Sequence, residues 1–196
     1  MEQSFAHNCG CGHGAVKPTE ILSDEHRVIE RVLSALEALT RRPIPQALEH
    51  WQKALDFIRC FADQCHHFKE EQVLFPAMEE RGIPKEGGPI GMMLLEHEEG
   101  RGYVRAMAAA LEAVAARDRA ANETVVQNAR AYIRLLREHI QKEDQILYPM
   151  AENAIPAEEL EQMRARFAEH EAAEMGAGTH ERYLTIARDL ETALGL

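Results

Sequence analysis

The stretch HHFKEEQVLFP, residues 66–76, returns in altered form as HIQKEDQILYP, residues 139–149. Six of the eleven aligned positions are identical, and three more pair Glu with Asp, Val with Ile and Phe with Tyr. A Glu-His dipeptide precedes each copy, at 25–26 and at 96–97, and its histidine lies 40 and 42 residues, respectively, before the first histidine of the copy. This spacing predicts a helical hairpin that is present twice in the chain.

Helix-forming residues dominate from about residue 19 onward, and no segment alternates apolar and polar residues as a half-buried strand does. Long helices joined by short connections fold back on their neighbours. The sequence therefore predicts an all-α fold, an up-down-up-down antiparallel four-helix bundle with an additional C-terminal helical segment. The predicted breaks lie at 42–43, at 81–89, at 117–122, where Asn122 is a candidate N-cap, and at 155–156, with an interruption near 176–178.

The composition divides the chain into three parts. Residues 1–17 are rich in Gly, His and Cys and are predicted to form a flexible tail. Residues 18–155 contain both hairpins and are predicted to form the bundle. Residues 156–196 are predicted to be a C-terminal helical extension that packs on the bundle.

The charge and the cysteine content limit the possible partners and the location. The formal net charge of −11 argues against nucleic acid, because a phosphate backbone requires a positive face. It argues equally against anionic lipid, and no apolar run reaches the roughly 20 residues needed to span a bilayer. Residues 1–18 lack the pattern of a secretory signal, and four cysteines in 196 residues do not indicate a disulfide framework. We therefore predict a cytoplasmic location.

Histidine and glutamate residues interrupt the apolar stripes of the predicted helices. His26, for example, shares a helix face with Leu22 and Ile29, because residues three and four apart lie on one face. A buried carboxylate without a partner is costly, and a pair of metal cations removes that cost, since imidazole and carboxylate are both common metal ligands. Six protein ligands for two metals leave positions open, which is typical of reactive sites. The candidate ligands are His26, His66, Glu70, His97, His139 and Glu143.

Motifs of other metal and nucleotide sites are missing from the sequence. A ferritin-like diiron oxidase needs a Glu-x-x-His motif on each of two helices, and the chain contains none. The zinc-protease motif HExxH and the phosphate-binding motif GxxxxGK[ST] are absent as well. These observations argue against those three classes.

The segments DEHRVIERVL, HHFKEEQVLFPAME, LLEHEEGRGYVR and LREHIQKEDQILYPMAE resemble the hemerythrin family, specifically its HHE cation-binding branch. The resemblance covers roughly residues 19–155, and the motif order H, HxxxE, H, HxxxE carries it. It implies a four-helix bundle that holds two non-haem iron ions with an oxo or carboxylate bridge. It also implies, position by position, that the six candidate residues are the iron ligands.

One departure from the oxygen carriers of that family affects the expected function. Those proteins have a second histidine four residues after the third-helix ligand, whereas Arg101 stands there in this chain. They have an aspartate five residues after the last histidine; Asp144 occupies that position, but Glu143 matches the glutamate of the repeat. The resemblance is therefore closer to the branch that repairs iron centres or senses iron, oxygen or nitric oxide, and it implies two irons that are more equal and more open.

We accordingly expect a diiron protein that binds O2, NO or peroxide at open iron positions and serves as a sensor, a scavenger or an iron and oxidative-stress protein. The alternative is a diiron enzyme for peroxide decomposition, NO reduction or iron delivery to damaged iron centres. A redox partner is expected for either function, and the sequence does not identify it.

Weaker candidates surround the six residues. His67 and Glu71 form a shifted HxxxE, but their counterparts Ile140 and Asp144 do not, so His66 and Glu70 are preferred. Glu30 is a candidate for orienting an imidazole or for a surface ion pair. Further candidates are a third HxxxE at His170 and Glu174 with His180 beyond it, the phenols of Tyr132 and Tyr148, the tail residues His7, Cys9, Cys11 and His13 as a soft-metal site, and Cys60 and Cys65 as buried thiols.

Overall fold

The computed structural model of the chain describes residues 16–115, 119–175 and 178–196. Within these ranges all regular structure is helical and there is no strand. The prediction of an all-α fold is therefore confirmed. The tail residues His7, Cys9, Cys11 and His13 lie outside the described residues.

Six long helices form the described part of the chain. Helix α1 is Pro18–Leu39, and a short 3-10 helix, Ile44–Gln46, leads to α2. Helix α2 spans 48–80 and consists of Leu48–Phe57, the π-helical stretches Ile58–His67 and Glu70–Leu74, and Phe75–Glu80. Helix α3 is Pro89–Ala115, and α4 spans 119–154 as Arg119–Lys142, π-helical Glu143–Leu147 and Tyr148–Ala154. Helix α5 spans 157–175 as Ala157–His170 and π-helical Glu171–Met175, and α6 is Thr179–Leu194.

Local sequence signals set the helix ends. Pro18 is the first residue of α1, where its missing N–H costs nothing, and the Lys17 N–H donates to Glu20 Oε2 at 2.9 Å. Helix α2 ends before Gly82, whose φ of +85° lets the Ile83 N–H reach back to the Met78 carbonyl at 3.1 Å. The prediction of Asn122 as an N-cap is wrong, because helix α4 is already formed at Arg119.

Two apolar clusters make up the core, and a polar layer separates them. The larger cluster includes Ile29 and Ala62, and the other includes Leu22 and Val73. On α1, His26 lies between Leu22 of the one cluster and Ile29 of the other, and the same order recurs on α2, α3 and α4. The candidate ligands therefore lie between two hydrophobic cores.

The C-terminal helices pack against the first two helices. Tyr183 and Leu190 of α6 are buried in the larger cluster, and Met163 and Phe167 of α5 are buried in the smaller one. An ion pair between Arg31 and Glu191 at 2.5 Å joins α1 to α6. In the described ranges, no helix is both long and apolar enough to cross a membrane.

Candidate metal centre

The structure brings all six predicted ligands together in the polar layer. One or two of them come from each of α1, α2, α3 and α4, and none is more than 1% exposed. The two carboxylates lie among the imidazoles: Glu143 Oε2 is 3.3 Å from His26 Nε2 and 3.1 Å from His139 Nε2, and Glu70 Oε2 is 3.7 Å from His66 Nε2 and 3.6 Å from His97 Nε2. Each glutamate thus contacts histidines of both hairpins.

The donor atoms form two overlapping groups, each with its atoms within 4.8 Å of one another. One group contains His26 and His66 with both Glu70 and Glu143. The other contains His97 and His139 with Glu70, and Glu143 Oε1 lies 3.9 Å from His97 Nε2. Glu70 belongs to both groups, and two neighbouring groups of imidazoles and carboxylates could hold a pair of cations.

His67, which the sequence analysis set aside in favour of His66, is a seventh member. It belongs to the group of His97 and His139, is 6% exposed, and its ring stacks on that of His97 with a centroid distance of 3.8 Å. The group then has three histidines against two in the other group. The two donor groups therefore differ in composition, with three histidines and one glutamate in one and two of each in the other.

The π-helical stretch at residues 58–67 accounts for the convergence of two consecutive histidines. A π-helix pairs residues i and i+5 and winds more slowly than an α-helix, so consecutive side chains are less separated around the axis. His66 and His67 close this stretch and both face the interior. The stretches at Glu70–Leu74 and Glu143–Leu147 begin at the two glutamates, consistent with the frequent occurrence of π-bulges at functional sites.

Each imidazole of the centre places Nδ1 against a carboxylate. Such contacts fix the ring orientation and leave Nε2 free for a metal. Glu25 and Glu96 are the first residues of the two Glu-His dipeptides. Glu25 accepts a hydrogen bond from His66, and Glu96 accepts one from His139, so each glutamate orients a histidine of its own hairpin. The sequence contains this regularity, although the dipeptides alone did not predict the contacts. The pairs are His26 with Asp144 (2.9 Å), His66 with Glu25 (3.0 Å), His97 with Glu71 (2.7 Å), His139 with Glu96 (2.9 Å) and His67 with Asp63 (3.4 Å).

The inward nitrogen atoms show the fit to a metal most directly. His97 Nε2 and His139 Nε2 are 3.0 Å apart, and both Nδ1–H groups are already donated to carboxylates. Two neutral rings of this kind would point lone pairs at each other. Two nitrogen ligands at about 2.1 Å from one ion and at right angles are about 3.0 Å apart. The geometry therefore suits a shared cation.

The carboxylate oxygens give an independent indication. Glu70 Oε2 and both oxygens of Glu143 are buried, and no described residue donates a hydrogen bond of good geometry to them. Buried oxygens of this kind are rare in folded proteins and call for an ion or an ordered partner. Metal coordination would satisfy all three, so the residues present fit a pair of cations.

Without a cation, protons must balance the charge of the two glutamates. Burial first, and then the charge of Glu143, raise the pKa of Glu70 well above its usual value. Burial also opposes ionisation of Glu143, but His139 and His26 outweigh it and hold the pKa of Glu143 well below the usual range. Burial disfavours the charged form of His139, yet Glu143 and Glu96 raise its pKa to about 9. The metal-free centre thus holds protons where metals would bind.

Tyr148 is the second asymmetric residue of the centre. Its hydroxyl donates to Glu70 Oε1 at 2.6 Å and lies 3.3 Å from His26 Nε2, and its ring stacks on His26 at 5.5 Å. Its counterpart Phe75 stacks on His97 at 6.0 Å and has no hydroxyl. A phenol therefore reaches the donor set of only one group.

Arg101 is not part of the donor set. Its guanidinium donates to Asp63, Glu71 and Glu98 at 2.7–2.8 Å, and it therefore fixes two of the carboxylates that hold His67 and His97. The position that is a histidine in oxygen carriers thus supports two imidazoles through their acceptors.

The remaining candidates lie outside the centre. Glu30 pairs with Arg137 at 3.4 Å, which agrees with the ion-pair alternative. His170 stacks on Phe68 and binds the Gln64 carbonyl, and the side chain of Glu174 is not among those described. Cys65 is buried, but the prediction of a buried Cys60 is wrong, since that thiol is half-buried beside Asp56.

A cavity of about 210 Å³ adjoins the group that contains His67. It opens between α2, α3 and α4, and exposed arginines stand at its outer edge. Tyr132 is 2% exposed, and no described residue accepts a hydrogen bond from its hydroxyl. The residues that line the cavity next to the centre are His67, His97, Gly100, Val104, Tyr132 and Leu136.

Comparison with known proteins agrees with the geometry. The profile of the hemerythrin HHE cation-binding domain matches residues 17–151, and the chain belongs to this family. Uncharacterized proteins of Mycobacterium bovis and Mycobacterium tuberculosis are 30% identical to it over 188 residues, which cover 92% of this chain and 71% of each relative. No solved structure matches. The family implies cation binding, and the His/Glu groups of this chain are the residues that could hold the cations.

Proposed function

We propose that this protein is a non-haem diiron protein whose α1–α4 form an up-down-up-down antiparallel four-helix bundle around the metal pair. The bundle corresponds to residues 18–155, and residues 156–196 are an extension that packs on it. The proposed ligands are the six predicted residues together with His67. The observation that carries the proposal is that Glu70 Oε2 and both oxygens of Glu143 are buried without a well-formed hydrogen bond, among five inward imidazoles.

The function that we propose is the binding of O2, NO or peroxide by a sensor, scavenger or oxidative-stress protein. Bound iron would supply redox chemistry and positions for a small ligand. The donors favour unequal positions, since His26 and His66 contribute two imidazoles and the other group contributes three. Each group has four donor residues, so the two positions differ in the type of donor and not in the number of donors.

The cavity beside His67 supports a route for small ligands. An apolar cavity of about 150 Å³ can hold a benzene molecule, so a cavity of about 210 Å³ admits diatomic molecules and peroxide with room to spare. Residues Ile58, Val104 and Leu136 give it apolar walls, and Gly100 lacks a side chain that would fill it. The cytoplasmic location and the redox partner stay predictions from the sequence.

The alternative function, a diiron enzyme, is favoured by one observation. The hydroxyl of Tyr148 is buried beside His26 and donates to Glu70 Oε1 at 2.6 Å. A phenol so placed can hold a proton at its oxygen and deliver it to a reacting ligand. Peroxide decomposition is the reaction that would use such a proton most directly; NO reduction and iron delivery stay alternatives.

Metal analysis of two variants tests the diiron proposal. Wild-type protein should hold about two irons per chain with a near-ultraviolet band of a bridged diferric pair, and Glu143→Ala should lose most of both. Glu138→Ala on the exposed face of the same helix is the control and should keep the metal. Full loading of Glu143→Ala would contradict the proposal. Rapid mixing of the reduced protein with O2, NO and peroxide then separates stable binding from turnover.

A further inference from the structure

The charged network behind His66 continues into the C-terminal segment. Glu25 accepts a hydrogen bond from His66 Nδ1 through Oε2 at 3.0 Å, and its Oε1 accepts one from the ammonium of Lys69. The same ammonium donates to Oε1 of Glu171, which lies in α5. Glu171 is outside residues 17–151, the part of the chain that matches the family. An unbroken chain of contacts thus runs from a metal-facing histidine to an additional helix.

Burial makes this network sensitive to the loss of any member. Lys69 is 0% exposed and Glu25 is 3% exposed. A buried ammonium must be paired, and a buried pair that loses one partner is strongly destabilised. Helix α5 contributes twice, since the ring of Phe167, one turn before Glu171, also lies against the Lys69 ammonium at 5.7 Å.

The other hairpin provides an internal comparison. His139 Nδ1 donates to Glu96 Oε2 at 2.9 Å, and Lys142 donates to the second oxygen of Glu96. The Lys142 side chain is 37% exposed, and no third charged residue of the described part contacts it. If Lys142 is removed, water can hydrogen-bond to Glu96 in its place. Water cannot take the place of Lys69 in this way, because Lys69 is buried.

We propose that Glu171 is a positioning residue for His66, through Lys69 and Glu25, and that the C-terminal segment thereby sets the metal affinity and the redox potential at the His26 and His66 position. The inference rests on the proposed diiron function. Glu25 and Glu171 are two negative charges and Lys69 is one positive charge, so the network adds negative charge behind His66. This charge stabilises the more oxidised metal.

A third cation site at the same place is the competing interpretation. Donor atoms of Glu25, Glu171 and His180 lie within 4.8 Å of one another, and His180 Nδ1 is buried without a hydrogen-bond partner in the described residues. However, the Lys69 ammonium already contacts both carboxylates. It takes the place that a metal ion would need.

The test is Glu171→Gln in the full chain, with ferrous iron and zinc titrated into metal-free protein. Gln keeps the shape of the side chain and removes its charge. We expect an unchanged circular dichroism spectrum, a loss of up to about tenfold in affinity for one of the two metals, because Glu171 acts through two intervening side chains, and a higher midpoint potential for one iron. Glu171→Asp keeps the charge and should restore the potential in part.

Two further variants serve as controls. Arg166→Ala removes the contact of α5 with the Gln72 carbonyl but does not touch Lys69, so its affinities and potential should equal those of the wild type. Lys142→Met should have a smaller effect than Glu171→Gln, because water reaches Glu96.

Each outcome bears on the inference separately from the diiron proposal. Wild-type affinities and a wild-type potential in Glu171→Gln would overturn the inference. An equal change in Arg166→Ala would also overturn it, because it would show that Glu171 only helps α5 to pack on α2. Three metals per wild-type chain would overturn it in favour of the cation site. Fewer than two irons in the wild type would instead refute the diiron function itself.

Discussion

The two halves of the centre come from two similar hairpins, yet each half is completed by a residue from the other copy of the repeat. The position of His97 and His139 gains His67 from the first copy, where the second copy has Ile140. The position of His26 and His66 gains the hydroxyl of Tyr148 from the second copy, where the first has Phe75. The two copies thus provide similar frames, and differences at single positions make the two frames chemically different.

The comparison extends to the residues behind the ligands. Glu25 and Glu96 play equal parts, as do Glu71 and Asp144, because all four accept hydrogen bonds from imidazole Nδ1 atoms. The difference lies one contact further out, where the lysine behind Glu25 is buried and the lysine behind Glu96 is exposed. The carboxylates that contact the imidazoles are therefore equivalent in the two hairpins, whereas the lysines behind these carboxylates differ in their burial.

Replacement of His67 by isoleucine, the residue at the equivalent position 140, should have the largest effect on the difference between the two donor groups. In His67→Ile, the position of His97 and His139 loses one imidazole, so zinc affinity at one of the two sites should fall at least about tenfold. The measurement is isothermal titration of metal-free protein. Gln127→Ala, on the exposed face of α4, is a control expected to bind as the wild type. Two unchanged sites in His67→Ile would show that the third imidazole is only a stacking partner.

The reciprocal variant sharpens the same comparison. Ile140→His adds an imidazole at the equivalent place of the second copy. Because α4 at this position is α-helical rather than π-helical, the new ring should not reach the donors. Affinity should therefore stay at the wild-type level or fall, and a gain would contradict the role given to the π-helical stretch.

Removal of the Tyr148 hydroxyl should have an intermediate effect. In Tyr148→Phe, metal content should stay near two irons, and the reaction of the reduced protein with hydrogen peroxide should slow by about tenfold, because the proton held at this oxygen is lost. Stopped-flow absorption measures the rate. Phe75→Tyr, at the symmetric place, leaves Tyr148 intact and should not slow the reaction. An unchanged rate in Tyr148→Phe would remove the proton-donor role and favour simple packing.

Removal of the charge of Asp63, which contacts His67, should have the smallest effect. This effect is on the free energy of unfolding, and it depends on pH. Burial raises the pKa of Asp63, but hydrogen bonds from His67 and Arg101 outweigh it and lower the pKa to about 2. A folded-state pKa below the usual value of 3.8 means that the ionised carboxylate stabilises the fold above pH 4 and loses this contribution as the pH falls towards 2.

Asp63→Asn should therefore lower the free energy of unfolding at pH 7 by about 0.5–1 kcal/mol, since a side chain that is 33% exposed is partly screened by water. Near pH 2, where about half of this carboxylate is protonated in the folded state, most of the difference from the wild type should be lost. Urea unfolding of the metal-free protein at both values measures it, with the exposed Glu80→Gln as control. A deficit that persists near pH 2 would point to packing rather than charge.

The sequence was sufficient to predict the helical class and the convergence of six side chains, because the repeat fixed which residues are equivalent. The same reliance on equivalence excluded His67, whose counterpart is Ile140. No sequence signal marks the π-helical winding that turns His66 and His67 to the same side. The Glu-His dipeptides did carry a signal for Glu25 and Glu96, since a carboxylate beside each histidine recurred in both hairpins.

The polar layer between the two hydrophobic clusters has a consequence for the life of the chain in the cell. The iron pair proposed above would join the two clusters into one cooperative interior. A chain synthesised during iron shortage would instead keep protonated side chains crowded in this layer, between the two clusters. Opening, proteolysis and turnover would begin there, so the abundance of this protein would follow the iron supply.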